Sequence, residues 1–530
     1  MVGAVTRVAR VGVGVVVVGA LAALGLGCSN NGESGDPSSP SGGGTMRVGV
    51  PGALVVDPTK ASLASPSDQM VLDLLYDGLT SMDSEGLVQP GLAVSWEHNE
   101  DFTAWRFQLD PEARFSSGDS IMADDVIASI ERVAALGTKS LAALALEPVV
   151  GFAAFVDGTS EHLEGLSAVN GEVVRFGLTE PLSMLPAVVA SPVFGVVEPA
   201  SLLAAADGLT TELDLSGSWV VVEAAKGDLK LEPRADTSML LGAVELAAFS
   251  NANAAYDAFV DGEVDWATVP ADRFERAVDT YGDESFAPFQ AELFFGMNLG
   301  VAPLNNPVLR QAIEAAIDRE AIVKAVYADL ADPLATVIPV GVAGHDDARC
   351  GGCGPNPKRA VTLLAKEFPS GGIPTVSIDY DESPAQTAMA KLIAADLEAV
   401  GIPTSLRPLP LDDYKAFVAS GGQALFTFGW IGAFRSPDSY LTPLFVSDSD
   451  DNLTAFRSPE VDGLLQRARA ADDDVVNAER WAKAEATVMD AVVVIPIAQF
   501  RTQVVVADEV SGWAHAVDGT VDWEQVTVTD

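Results

Sequence analysis

The chain is poor in cysteine, histidine and positive charge. Its 530 residues hold three Cys and four His, and 31 Lys+Arg stand against 75 Asp+Glu, a formal net charge of −44. Such a surface repels phosphate backbones, so no nucleic-acid partner is expected. It also repels anionic lipid headgroups, so any membrane attachment must be covalent or hydrophobic. Catalytic motifs are missing: there is no G-x-S-x-G, no H-E-x-x-H and no G-x-G-x-x-G. The stretch "LGTKS" at 136–140 has the end of a phosphate loop without its upstream glycine. His98, His162, His345 and His515 are scattered, and acidic pairs are too frequent in so acidic a chain to mark a catalytic dyad. Neither enzymatic activity nor a cofactor or metal is therefore expected. Beyond the N-terminal segment no apolar run reaches ~18 residues, which predicts a soluble body.

What is present argues for a folded chain. Hydrophobic residues make up 48% and charged residues 20%, a globular balance, and the length predicts two or three domains. Residues 1–27 carry a basic start (Arg7, Arg10) and an apolar run from Val11 to Leu26, the pattern of a secretory signal. "LGLGC" then ends in Cys28, which resembles the lipobox of bacterial lipoproteins. That likeness implies a lipid on Cys28 and an extracytoplasmic protein anchored to the cell membrane. Leu24 lies one place further from the cysteine than in the usual pattern, where Gly25 now stands. The Ser/Gly/Pro/Asn-rich run within 28–45 predicts a flexible tether. With Cys28 set aside, Cys350 and Cys353 in "ARCGGCGPNP" remain. Outside the cytoplasm an even pair predicts a disulfide. A redox C-x-x-C is the alternative, although Gly-Pro-Asn-Pro follows where a helix should open. A zinc site with His345 is another, although one C-x-x-C is half of the four-ligand pattern.

Periodicity predicts mixed α/β structure. "TMRVGV", "WRFQL", "VVRFGL", "WVVVEA" and "LKLEPR" are expected strands. "SPSDQMVLDLLYDGLT" is an expected helix ending at Gly78, and "MADDVIASIERVAAL" an amphipathic helix with Asp124 and Asp125 in its first turn. In the second half "NNPVLRQAIEAAIDREAIVKAVY" looks like one long helix. After it come helices in "NPKRAVTLLAKEF" and "AQTAMAKLIAADLEAV", the latter capped by Gly401, with strands in "TVSIDY" and "SLRPLP". "QALFTFGW" is an expected buried strand. Helices in "PEVDGLLQRARAA" and "NAERWAKAEATVMDA" and a strand in "VVVIPIAQF" follow, and strand–helix–strand alternation argues α/β.

Several stretches together resemble one family, the extracytoplasmic solute-binding proteins of ABC importers in the peptide/nickel group (family 5). They are "DLLYDGLTSMDSEGLVQPGLAVSWE", "DFTAWRFQLDPEARFSSGDSIMADDVIASIER", "VDGEVDWATVP", "MNLGVAPLNNPVLRQAIEAAIDREAI", "NLTAFRSPEVDGLL" and "VVIPI". The resemblance runs from about Met46 to Trp513. It implies a two-lobed periplasmic-binding-protein-like α/β fold (type II, cluster C) with an extra subdomain on lobe one. Lobe one is expected at 46–292 and 497–530, the extra subdomain at 61–172 and lobe two at 293–496. Hinges are expected near Phe295–Asn298 and Ile495–Phe500. Closure would bury a ligand between the lobes for a permease to recognise. The implied function is capture of a peptide or peptide-like small solute by a monomer that delivers it, unaltered, to ABC permease subunits.

In peptide-binding relatives the strand ending Gly-Trp pairs with an extended ligand through its main chain. By resemblance Gly429, Trp430 and Ile431 become candidate ligand residues, with Tyr76, Asp77, Gly78 and Leu79 at the opposite edge of the cleft. Ala433 departs from the family's pattern, in which an Asp there pairs with the ligand's α-ammonium. A buried ammonium without a partner costs about 3–5 kcal/mol, some two to three decades of affinity. Asp438 is a candidate substitute, and Arg435 a candidate clamp for a carboxylate or phosphate. Two rivals are a secreted hydrolase of peptides or glycans, which would need a positioned nucleophile and base, and a ligand-sensing or chaperone lipoprotein on the same fold.

Overall fold

The structure is a computed structural model describing residues 43–83, 86–205, 208–346, 354–471, 474–514 and 516–529. The signal segment, Cys28, most of the tether, Cys350 and Cys353 lie outside the described residues. Among those described, no helix is long and apolar enough to cross a membrane.

Two six-stranded mixed sheets organise the chain. The first runs Val504–Val506, Trp266–Thr268, Thr45–Pro51, Ala243–Phe249, Asp228–Pro233, Trp219–Ala225 in spatial order. Its central strand, read from "TMRVGV", buries Met46, Val48 and Val50 on one face and pairs in parallel with both neighbours. The second sheet runs Ala331–Pro333, Val494–Arg501, Pro288–Met297, Leu425–Ile431, Val376–Asp381, Thr404–Leu409. It is covered on both faces, so its strands need apolar side chains on both sides. Leu293, Phe295 and Met297 enter one core and Phe294 the other, which is why "LFFGM" shows no alternation. A four-stranded antiparallel sheet (Ala93–His98, Ala104–Leu109, Val173–Gly177, Leu166–Val169) lies apart from both. The helix Ala123–Ala134 adjoins it, and its Asp125 carboxylate accepts the Met122 amide at 2.8 Å. Trp105, Phe107 and Phe176 of this small sheet share one continuous core with Met46 and Trp219 of the first.

Three sequence expectations differ in detail. The helix from Pro66 stops at Leu75 rather than Gly78. The amide that would have continued it is taken elsewhere: Asp77 N donates to Ser216 Oγ at 3.1 Å rather than to the carbonyl four residues back, and the carbonyls beyond it are tied to distant strands, Asp77 O accepting from Val196 N, Gly78 O from Leu92 N and Leu79 O from Ala93 N, each at 2.9 Å. The expected long helix is two, Pro307–Ala316 and Arg319–Val326. Asp318 breaks it by accepting the Ala321 amide at 3.0 Å as an N-cap. The "LFTFGW" strand is buried only through Thr427, and Gly429 is exposed.

The chain passes from the first sheet's surroundings into the second at Phe286–Pro288 and returns at Arg501–Val504. The two passages touch: Thr502 donates its amide (2.8 Å) and its hydroxyl (3.2 Å) to Ala287 O. Arg501 ties the return to Asp332 at 2.6 Å and to Asp283. Phe295–Met297 and Ile495–Phe500 are strand within the second sheet.

Candidate functional site

The site is built around one half-paired strand. Leu425–Ile431 is bonded along its whole length to Pro288–Met297, in a register from Met297↔Leu425 to Ala291↔Ile431. On its other side it pairs with Val376–Asp381 only at Ile378↔Leu425 and Asp379↔Phe426. The main-chain direction of each residue follows from the ladder. Asn298 N donates to Ala424 O at 3.0 Å, so in antiparallel alternation Phe426, Phe428 and Trp430 bond inward to the Pro288–Met297 strand. Leu425, Thr427, Gly429 and Ile431 then face the other way. Thr427 O is used there by the Tyr414 hydroxyl. On that outer side Gly429 and Ile431 lie beyond the pairing with Val376–Asp381, so among the described residues their N–H and C=O meet no strand there and form an open edge.

Trp430 is the cross-strand partner of Glu292, so the two side chains share one face of the sheet. Its ring packs on the core that holds Phe294, Tyr440 and Trp481, and its Nε1 donates to Ser439 O at 2.8 Å. The next residues fold into a tight turn before the helix Asp438–Phe445. Ser439 Oγ accepts the Ala433 amide at 2.6 Å. Phe434 turns away from the second sheet and is buried in the core shared with the first. Arg435 follows it across: Nε donates to Gly341 O at 3.0 Å and Nη1 to Asp83 O at 3.3 Å. The guanidinium is thus engaged by two carbonyls of other segments. Asp438 is 3% exposed, accepts from Thr442 Oγ1, and stands 3.3 Å from Arg469 Nε. Arg469 also pairs with Glu180, and its carbonyl accepts the Ser183 amide at 2.8 Å. Asp438 is therefore held by a cation of the protein itself.

The sequence-predicted residues divide accordingly. Gly429 and Ile431 present main-chain edge on their outer side, and Trp430 between them is half-buried against the protein's own core. Ala433 and Arg435 face a cavity whose opposite wall includes Asp73, Ser81 and Met82, residues on either side of the expected Tyr76–Leu79 edge. That edge is occupied by structural bonds. Tyr76 is 3% exposed and donates its hydroxyl to Val56 O at 3.0 Å. A Cβ on Gly78 would stand 2.7 Å from Val189 O, so only glycine fits the turn. Burial pushes the Asp77 carboxyl up to about 6, against the pull of Arg234. His345 directs Nδ1 to Ile338 O at 2.8 Å.

Sequence reasoning missed the polar groups beneath this site. Gln290 and Glu292 are 2% and 1% exposed and share a face of their strand. Gln290 Oε1 and both Glu292 carboxyl oxygens have no hydrogen-bond partner among the described residues. Burial, and then the Glu485 charge, raise the Glu292 carboxyl well above the usual carboxylate range. Tyr440 lies against them, its hydroxyl donating to Gln290 O at 3.3 Å. The available signal was the pair of polar residues inside the apolar run "FQAELFFGMN". Asp73, inside a helix, and Asp518, in the C-terminal segment, had no such mark.

With this geometry in hand, the comparisons are consistent. A family model described as bacterial extracellular solute-binding proteins, family 5, matches residues 88–452. The dipeptide-binding protein DppE of Bacillus subtilis is 24% identical over 484 residues, 85% of this chain and 86% of its own. The periplasmic oligopeptide-binding protein OppA of Salmonella typhimurium is 24% identical over 469 residues, 83% of this chain and 84% of its own. Among solved structures, the unliganded open form of the periplasmic murein tripeptide-binding protein MppA superposes with a TM-score of 0.80 at 20% identity, covering 92% of this chain and 99% of that one.

Proposed function

The chain belongs to the bacterial extracellular solute-binding proteins of family 5, and from that premise we propose that it captures a peptide or peptide-like solute between two lobes and hands it, unaltered, to an ABC permease. Relatives named for dipeptides and oligopeptides support the ligand class. The observation that carries the reading is the open main-chain edge at Gly429 and Ile431, flanked by Trp430. An extended peptide adds there as another strand, and backbone pairing gives affinity without selecting a side chain. We divide the lobes as the sequence suggests, 46–292 with 497–530 and 293–496, the segment 61–172 being a subdomain of the first. The contacting passages at Ala287 and Thr502 are the hinge we favour, because they are where the chain changes sheet. A lipid on Cys28 and the tether to residue 45 place the protein on the outer side of the cell membrane, beside its permease.

The edge can be tested without disturbing the ladder. Gly429→Pro removes one outward N–H while leaving the inward bonds of Phe428 and Trp430 intact, and proline is tolerated on an open strand edge. Peptide affinity measured by calorimetry is expected to fall about tenfold, the worth of one main-chain hydrogen bond whose acceptor is left unmet. Gly429→Ala keeps the N–H and is the control; its Cβ would lie 3.3 Å from Glu292 O. An unchanged affinity in the proline variant rejects strand addition at this edge. Mass spectrometry of the released peptide should return the input mass, and a cleaved product would replace transport by hydrolysis.

A further inference from the structure

The two lobes proposed above touch again away from the passages at Ala287 and Thr502, and they do so through two arginines. Arg435 of the second lobe sends Nη1 to Asp83 O of the first at 3.3 Å, while its Nε holds Gly341 O of its own lobe at 3.0 Å. Asp83 follows the strand Thr80–Met82, which pairs with Val88–Pro90. A Cβ on Gly86, in the turn between them, would stand 3.0 Å from the guanidinium carbon of Arg435, so this turn packs flat against the arginine. The second arm is Arg469, the last residue of the helix Pro459–Arg469. Its guanidinium pairs with Glu180 of the first lobe, and its carbonyl accepts the Ser183 amide at 2.8 Å.

The second arm is a strut and not a packed interface. Beside it a cavity of ≈470 Å³ is lined by Glu180 and Pro181 from the first lobe and by Ser447, Asp462 and Gln466 from the second. The seam is also acidic from both sides. Burial raises the Glu147 carboxyl, the charges of Glu180 and Asp450 add to it, and Arg469 draws it down. Arg469 is thus the counter-charge that lets these carboxylates face one another. Polar contacts of this kind exchange for water at small net cost, so they break and reform without unpacking either lobe.

One turn carries both arms. Arg435 lies in it, between Ile431 and Asp438, and Asp438 holds Arg469 Nε at 3.3 Å. The turn is fastened to the open strand through Ser439, whose Oγ accepts the Ala433 amide at 2.6 Å and whose carbonyl accepts Trp430 Nε1 at 2.8 Å. We propose that Arg435 and Arg469 form a two-armed latch that ties the lobes together away from the hinge, and that a peptide reaches or leaves the strand edge only when the latch has opened. Every group in the latch belongs to the protein, so it closes the cleft with or without a guest and governs the rate of exchange more than the affinity. This inference rests on the division into lobes and on the peptide reading above.

The Ser183 amide reports the latch directly, because its acceptor, Arg469 O, lies across the seam. The test follows hydrogen exchange of the full chain, without ligand, by mass spectrometry. In Arg435→Met/Glu180→Gln the Ser183 amide should exchange about 10- to 100-fold faster, each lost arm contributing several-fold. Amides of the central strand Thr45–Pro51 should keep the parent's rate, since local opening leaves the core closed. Should the double variant fail to fold, Glu180→Gln alone, at a side chain 51% exposed, should still give a several-fold increase. In stopped-flow tryptophan fluorescence with trialanine, association and release should both quicken, leaving Kd within about threefold of the parent's. An unchanged Ser183 rate, or an acceleration shared by the central strand, overturns the latch. So do peptide rates that stay at the parent's values once the Ser183 amide has been freed. Trialanine that binds neither protein overturns the peptide reading alone, and exchange at Ser183 then decides the latch by itself.

Discussion

Arg469→Met is expected to lower stability by about 3–5 kcal/mol, measured as the shift of the urea unfolding curve followed by tryptophan fluorescence. The loss follows from what the substitution leaves behind. The Arg469 and Asp438 side chains retain 11% and 4% exposure, and a buried ion pair broken from one side strands the other charge. Burial alone would lower the Arg469 guanidinium, yet Asp438 and Glu180 outweigh it and hold it above its ordinary value. The two carboxylates are not equivalent partners. The Glu180 side chain is 51% exposed, so Glu180→Gln should cost about 0–1 kcal/mol, as exposed pairs do. Converting both buried members together, Arg469→Met with Asp438→Leu, should recover most of the loss, because neither charge is then stranded. A single Arg469 variant as stable as the parent would show that Asp438 finds solvent or another donor, and that the turn after the open strand is not fixed by this pair. The functional consequence lies in that turn. Asp438 begins the helix behind Trp430, and Phe434 spans to the core shared with the first sheet. Loosening it should weaken peptide binding as well as folding.

The sequence carried most of the fold because local signals and tertiary packing agree along it. "TMRVGV" alternates and is a central strand. Ser65 stands before Pro66 and caps its helix by accepting the Asp68 amide at 3.2 Å. Gly401, at φ +89°, ends a helix as its position suggested. Legibility fails where a non-local partner decides. The turn at Tyr76–Leu79 has its carbonyls taken by Leu92, Ala93 and Val196, up to more than 100 residues away, and no window of sequence shows that competition. Asp318 does carry a local signal, an N-cap type in mid-pattern, which helical periodicity masked. The site divides the same way. Gly429–Ile431 and Ala433 stood out because the motif is contiguous. Asp73, Gln290 and Asp518 are brought together from three distant segments, and in a chain with 75 acidic residues a single aspartate is invisible until its neighbours are known. Arg435 and Asp438 illustrate the converse. Their charge suggested ligand contacts, whereas the structure engages them with Gly341, Asp83, Thr442 and Arg469.

Without ligand, the protein should lose stability between pH 4 and pH 8 through Asp73, and Asp73→Asn should lose less. The sign follows from proton counting. An aspartate in the unfolded chain gives up its proton near 3.8, while burial holds the native carboxyl up to about 8. Across that interval the native state keeps a proton the unfolded state has lost, so the contribution is complete below about pH 4 and fades as pH rises through 8. Asp73 is only half-buried, and with solvent screening the difference amounts to about 2–3 kcal/mol at pH 8. Asp77, raised to about 6, acts in the same direction but is present in both proteins and cancels in their difference. The groups around Asp73 are the Asp518 and Asp77 charges, the Val521 amide and Trp523; the substitution leaves them all in place. Unfolding midpoints that move in parallel with pH for the parent and Asp73→Asn would mean that Asp73 is ionised and solvated already in the native state.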